Sequence, residues 1–428
     1  VENYYKFLVA AGGPGVSEDH CRVLADKSLD LHDWLVNTLG VVFKPGYNPP
    51  WPQEANYEAG LACTGDEYNR DYEGIAEAVP HSHWVEGFET GEGVLTGSKN
   101  GSGFFQPLKN AVEALGPEVF YETRARQLVM DASGRVVGVV ASEKGKEVTI
   151  KASKAVILST GGFAKNEEMV HQYCPYADGS FVIGTPGDMG DGIRMGQGVG
   201  ADTRHMNFAY GQLSTSTWMY RHSVVGGPLI SGILVNQRGL RFISEDHYSG
   251  SYYAQVVRNP YYYTDYNPFY MVYDSAILEE MLPIAEVKPE NVVATGNTVA
   301  ELAESLGMPK GSLEATLEYY NKYASEGEDP VWKKAAQWVK PIATPPFYAM
   351  KATTLNGLFT FGGLKINTDA QVIHALTQKP IPGLYSAGRN ASDIFGTGYQ
   401  ASGASIASCY TFGRIAGAKA AAETPWDA

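Results

Sequence analysis

Residues 155–163 read Ala155-Val156-Ile157-Leu158-Ser159-Thr160-Gly161-Gly162-Phe163. A short apolar run closed by paired glycines is the pattern of a strand buried inside a parallel sheet. The glycines at its carboxyl end let a backbone or a ligand approach closely. In open α/β sheets, ligands bind at that end. The same strand-to-glycine pattern returns at Gly383-Leu384-Tyr385-Ser386-Ala387-Gly388. A third glycine-rich stretch, residues 398–406, opens a helix expected over about 403–422 and rich in small residues. Unpaired N–H groups at a helix start attract negative charge. One such cluster reads as a tight turn. Three in this order point to a long cofactor, with the helix start aimed at a pyrophosphate or an electron-rich ring.

The flanking sequence fits an α/β protein. Residues 18–37 place Cys21, Leu24, Leu31 and Leu35 on one helical face, after a turn at Gly12-Gly13-Pro14-Gly15. A second helix is expected over 103–115, ended by Gly116-Pro117. Residues 45–100 are rich in Pro, Gly and aromatics and read as loops. Segments 119–122, 126–131, 136–141 and 147–150 read as strands of a small meander. Gly184 to Gly192 forms another Gly-rich loop, with a helix from Ile193. Residues 205–345 change character. They are aromatic-rich, with a strand at 230–235 and helices near 274–282, 298–306 and 310–325. After Pro345-Pro346 the α/β pattern returns, with a Gly-broken strand at 357–366. The expected division is 1–204, an inserted domain 205–345, and 346–428.

Composition narrows the function. Of 428 residues, 44% are hydrophobic and 19% charged, which excludes a disordered tail or a fibrous repeat. The net charge of −14 argues against a nucleic-acid binder, which needs a basic face. Cys21, Cys63, Cys174 and Cys409 form no C-x-x-C pair and read as free thiols. His81 and His83 have no acidic or thiol partner placed to close a metal site, so they read as a loop near the cofactor. No apolar run approaches the ~20 residues of a membrane helix. The chain starts at Val1, so any targeting signal would lie upstream, and the cytoplasm is the expected compartment. Nine of the 27 tyrosines lie between Tyr248 and Tyr273.

A G-x-G-x-x-G fingerprint is missing, and Gly12-Gly13-Pro14-Gly15 is not one. Three segments nonetheless carry a resemblance. They are Ile157-Leu158-Ser159-Thr160-Gly161-Gly162-Phe163, Gly190-Asp191-Gly192-Ile193-Arg194-Met195, and the stretch from Gly383 through Gly403 to Phe412-Gly413-Arg414-Ile415-Ala416-Gly417. Over nearly its whole length the chain resembles the flavoprotein superfamily of fumarate reductase and the 3-ketosteroid dehydrogenases. The resemblance implies FAD as cofactor. It implies an FAD-binding domain of the glutathione-reductase-like type, incomplete at its N-terminus, with an inserted α+β domain capping the flavin and substrate between them. Residue by residue, it implies that Ala125 meets the adenine and that Thr160, Gly161 and Gly162 pack on the adenosine side. Asp191 then braces the Gly-rich loop near the flavin. Ala387, Gly388 and Arg389 approach the ribityl-pyrophosphate. Ser405 and Ile406 bring N–H groups to the flavin pyrimidine edge.

The branch is read from the substrate side. A fumarate reductase surrounds a dicarboxylate with cations, and the matching positions hold Gln212, Ser249, Phe359 and Gln400. A dianion buried there unpaired would cost several kcal/mol. The ketosteroid dehydrogenases instead polarise a ketone oxygen with a tyrosine hydroxyl and a glycine N–H four residues on, which match Tyr399 and Gly403. The tyrosine that takes the proton matches Tyr248. The other tyrosines of that cluster line an apolar slot or fill the cap; both readings stand. The Tyr399-to-Gly403 spacing suits enzymes acting on the steroid 1,2 bond, while Arg389 and the 11–15 segment suit the 4,5 group. The expectation is an FAD-dependent oxidoreductase that introduces or reduces a C=C bond beside a ketone. Its substrate is expected to be a 3-oxosteroid or a similar flat, apolar enone. The alternatives are a flavin-dependent reductase of another unsaturated substrate, of the fumarate or urocanate reductase kind, and a truncated, non-catalytic fragment. Electron partner and oligomeric state are open.

Overall fold

The apolar run at 155–163 forms the strand Val156–Leu158. It does so in a computed structural model that describes residues 1–45, 72, 74–77, 83–89, 95–96, 101–182, 184–214, 231–245, 268–281, 292–400 and 403–426. This strand pairs in parallel with Pro380–Ser386, Val156 opposite Leu384 and Leu158 opposite Ser386. Gln371–Ile373 pairs antiparallel on the far side. The two glycine turns therefore leave the sheet side by side. The expectation of a strand buried on both faces needs correction. Val156–Leu158 is an edge strand of this three-stranded sheet, and Ile157 is 40% exposed.

The chain divides into two units, Val1–Tyr173 with Gly184–Phe208 and Phe359–Ala428, and Cys174–Ile183 with Ala209–Leu358. In the first, the helix Glu18–Asn37 buries Cys21, Leu24, Leu31 and Leu35, the face its spacing marks. Leu31 and Leu35 join Leu39, Val41 and Val85 in a core on which Trp34, Phe43, Phe104 and Tyr410 pack. Residues 45–100, expected to be loops, contribute the strand His83–Glu89, paired with Val41–Pro45. Its one aliphatic residue, Val85, is too little to register as strand periodicity. The meander forms as Thr123–Met130, Val136–Glu143 and Lys146–Lys151. The expected strand at 119–122 does not form. Glu122 takes φ 53°, outside the extended region, and the ladder starts after it.

In the second unit, Phe269–Asp274 buries all six residues between Ile233–Val235 and the 14-residue strand Phe347–Thr360. The sequence reading missed this strand inside the tyrosine-rich stretch. It also took the end of Phe347–Thr360 and the separate Gly363–Lys365 as one broken strand. Helices Ser275–Met281, Val299–Ser305 and Ser312–Ala324 lie where expected. Asp274, fully buried, accepts from Ile277 N at 3.0 Å and from Ala343 N and Thr344 N at 2.8 Å, tying strand end, helix start and a crossing loop together. Among the described residues, no helix is long and apolar enough to cross a membrane.

Candidate cofactor and substrate site

The first glycine turn is fixed by a residue the sequence reading passed over. Gly162 N donates to Asp188 Oδ1 at 3.2 Å, and Arg389 Nη2 donates to Asp188 Oδ2 at 3.1 Å. A Cβ on Gly161, itself at φ +80°, would sit 2.2 Å from Asp188 Oδ1, and one on Gly184 2.1 Å from Oδ2. These glycines are thus needed for close approach of the carboxylate as well as for the turn. A second set of bonds runs beside it. Gly192 N donates to Thr160 Oγ1 at 3.0 Å, Thr160 Oγ1 donates to Asn390 Oδ1 at 2.7 Å, and Asn390 Nδ2 donates to Ser386 Oγ at 2.8 Å. Thr160, Gly161, Gly162, Arg389 and the 386–390 turn therefore form one cluster. The signal for Asp188 was present: it is an acid inside the Gly184 to Gly192 loop.

Asp191 has a different neighbourhood. It starts the helix Asp191–Gly198, and Arg124 grips both its oxygens at 2.6 and 2.7 Å. Arg124 precedes Ala125, which is half-buried in the first strand of the meander. Ala125 and Asp191 are thus joined through Arg124.

The C-terminal helix Ala404–Ala422 begins at Gly403, a left-handed cap at φ 92° with no side-chain capping bond. A Cβ on Gly403 would meet nothing within 4 Å. Ser405 is half-buried and Ile406 is 43% exposed. First-turn N–H groups have no intrahelical acceptor, so this start is open to an electron-rich group. The Gly388 turn and this helix start share a narrow crevice, bordered by Thr360, Gly388, Arg389, Asp393, Ser405 and Ser408. An uncapped helix start beside a glycine turn is the donor set that would hold the flavin end of FAD. The G-x-G-x-x-G that would hold the other end is not in the sequence.

Tyr399 stands in an aromatic wall. Phe361 and Phe395 stack at 5.0 Å and 11°, and Phe395 and Tyr399 at 5.7 Å and 22°. Phe359 meets Tyr399 edge-on at 5.3 Å, and the Arg389 guanidinium lies 5.4 Å from the Phe359 ring centre. Gln400 is buried and donates Nε2 to Ile394 O at 2.8 Å. Gly398 N donates to Gly12 O at 2.7 Å, and a Cβ on Gly398 would sit 2.0 Å from Ala11 O. The 12–15 turn therefore buttresses the backbone that presents Tyr399. Gln212 lies in the strand Ala209–Ser214 of the second unit. Tyr248 and Ser249 lie outside the described residues.

The segment leading toward Tyr248 is anchored within the second unit. Glu245, fully buried, receives Arg241 Nε and Nη2 at 2.9 and 2.6 Å and Leu234 N at 2.8 Å, with Lys334 Nζ at 3.1 Å. Arg241 Nη1 also reaches Asp329 at 2.8 Å. Burial pushes the Glu245 carboxyl up, but the Arg241 and Lys334 charges outweigh it and hold it below the usual carboxylate range. Among the described residues, no three His, Cys, Asp or Glu side chains are grouped to hold a metal. His83 packs against His32 at 5.4 Å, His81 lies outside the described residues, and the three described cysteines, Cys21, Cys174 and Cys409, form no disulfide.

Two parallel strands ending in glycine turns and an open helix start are the features of a dinucleotide-cofactor protein. Residues 1–406 match the FAD binding domain family, and the chain belongs to it. FAD is that family's cofactor. The chain is 32% identical over 357 residues to the urocanate reductase of Eggerthella lenta, covering 80% of this chain and 57% of that protein. It superposes on 3-ketosteroid-Δ4-(5α)-dehydrogenase from Rhodococcus jostii RHA1, solved with 4-androstene-3,17-dione. The TM-score is 0.78 and the identity 35%, over 99% of this chain and 84% of that one. For the open form of a flavocytochrome c3 fumarate reductase the values are 0.62 and 25%, over 98% and 67%. The chain spans less than two thirds of the length of the first curated relatives it matches.

Proposed function

We propose that this chain is the catalytic part of an FAD-dependent oxidoreductase that introduces or reduces a C=C bond beside a ketone. The substrate is a flat, apolar enone of the 3-oxosteroid kind. The observation that carries this reading is that Phe359 and Tyr399, the positions the resemblance puts beside the substrate, pack edge-on at 5.3 Å among apolar rings, with the buried Phe361 and Phe395 stacked along Tyr399. Arg389, the cation beside Phe359, is already paired with Asp188. A planar apolar ring system gains from such a surface, and a dianion does not. The 35% identity to a steroid dehydrogenase supports it.

The Tyr399 hydroxyl and the Gly403 N–H are assigned to the ketone oxygen, where two donors stabilise the charge of an enolate by roughly 3–4 kcal/mol each. Tyr248 is assigned the proton on the neighbouring carbon. A tyrosine of ordinary pKa near 10 needs a neighbour to do this. Ser405 and Ile406 offer N–H groups, Thr160 to Gly162 and Ala387 to Arg389 line the cofactor cleft, Ala125 meets the adenine, and Asp191, held by Arg124, braces the Gly-rich loop. When bound, FAD supplies the two-electron acceptor or donor for hydride transfer.

The test is an anaerobic visible spectrum of the FAD-loaded full-length protein before and after a saturated 3-oxosteroid. Bleaching of the oxidised-flavin band that Tyr399→Phe abolishes is the expected result. A band unmoved by any 3-oxosteroid sinks the steroid reading. A second reading, a reductase of an unsaturated acid, is favoured by the 32% identity to urocanate reductase. Reduced flavin reoxidised by urocanate or fumarate, and not by an enone, selects it.

A further inference from the structure

Asp393 lines the same narrow crevice as Gly388, Arg389 and Ser405. It is 1% exposed. Its bonds come from neutral donors: Ile394 N at 2.6 Å to Oδ1, and Ser408 Oγ to Oδ2. Among the described residues it forms no ion pair. The groups that face it are Ser408 and Cys409 from the C-terminal helix and Cys21 from the helix Glu18–Asn37, with Arg389 across the crevice. Burial pushes both thiols up, Cys21 to about 12 and Cys409 to about 11, so neither is charged near neutrality. Arg389 is bonded to Asp188.

A buried carboxyl that borders a redox site, held only by neutral donors, is a place to store a proton. We propose that Asp393 takes up one proton from solvent when two electrons enter the cofactor at the start of the C-terminal helix, one turn from Ser408, and releases it on reoxidation. The physical cause is like-charge repulsion. Electrons added beside an ionised carboxylate favour its neutral form, and little water is present to screen the pair. Burial already pushes the Asp393 carboxyl up to about 6, so a modest further rise brings it across neutral pH. The electrons come from the substrate or from an added reductant, and the carboxyl itself is neither oxidised nor reduced. This inference rests on the FAD reading above.

The experiment is a potentiometric titration of the FAD-loaded full-length protein between about pH 5 and 8. The expected potential falls more steeply with pH above about 6, by one extra proton per two electrons, and Asp393→Asn removes that extra slope. Infrared difference spectra add a second readout. A protonated-carboxyl band appears on reduction, shifts in heavy water and is missing in Asp393→Asn. Asp393→Asn protein that binds FAD and keeps the wild-type slope overturns the proposal and leaves the cofactor reading standing. Failure of wild-type protein to bind FAD overturns both. Should Asp393→Asn not fold, Ser408→Ala takes its place. Loss of the hydroxyl donor moves the break to higher pH, and an unmoved break overturns the proposal.

Discussion

Asp188 Oδ2 lies 3.1 Å from Arg389 Nη2, while Oδ1 of the same carboxylate accepts the Gly162 N–H at 3.2 Å. One buried side chain thus joins the two glycine turns to the loop between them. Asp188→Ala leaves a buried N–H without an acceptor and Arg389 without its partner. The expected loss is about 2–4 kcal/mol, the lower part of the range for breaking a buried pair because Arg389 is partly exposed. Urea unfolding measures it, and flavin fluorescence reads a parallel loss of FAD affinity. Asp188→Asn keeps an acceptor for Gly162 and should lose less.

Gly161 combines a left-handed φ of +80° with a blocked Cβ position. Gly161→Ala is expected to destabilise by more than the ~1 kcal/mol of a simple glycine turn, because Asp188 must also move. Combined with Asp188→Ala, the two losses should fall short of additive. A double-mutant cycle by denaturant unfolding decides this, and strict additivity would show that the two residues are uncoupled.

His20 gives stability a dependence on acid. It is 4% exposed, its Nδ1 lies 2.7 Å from Ser17 Oγ, and burial pushes its pKa down to about 4. The unfolded chain protonates a histidine near 6.5. Unfolded protein therefore binds more protons in the window from about 6.5 down to about 4. Stability is full above that window, falls as pH drops through it by up to about 3 kcal/mol, and levels off below. His205, pushed down to about 4 chiefly by burial, adds in the same direction. Thermal unfolding across this range should show the slope, and His20→Asn should flatten it.

Glu245 acts lower on the same axis. Its folded pKa lies below the unfolded carboxylate value, so its stabilisation is present above about pH 4.3 and is lost as pH falls through the folded value. Glu245→Gln removes the carboxylate shared by the buried Arg241 and Lys334 and leaves Asp329 to balance Arg241. A loss of about 3–5 kcal/mol at neutral pH is expected by chemical denaturation.

Much of the first unit could be read from residues alone. The helix at 18–37, the meander from 123 onward and both glycine turns follow from spacing and from strand-to-glycine punctuation. What escaped depended on tertiary context. Phe269–Asp274 is apolar without alternation because both its faces are covered, and its tyrosines masked it. The exposure of Ile157 reflects which strands flank it, a fact no local window holds. Asp188 gave only a weak signal, because a single acid in a glycine loop has the same sequence whether it faces water or a backbone N–H. The stacking of Phe359, Phe361 and Phe395 on Tyr399 joins residues up to 40 positions apart in sequence, and only folding brings them together.

The parallel pairing of Leu158 with Ser386 makes the two glycine turns a ruler. Adjacent strands are held roughly 4.8 Å apart by their ladder, so the gap between the turns is set by backbone geometry rather than by side chains. Point substitutions in either strand leave that gap unchanged. Inserting one residue in either strand does not, since it slides one turn past the other and reverses which side chains face the core. The lengths of these two strands are therefore the part of the scaffold least free to change.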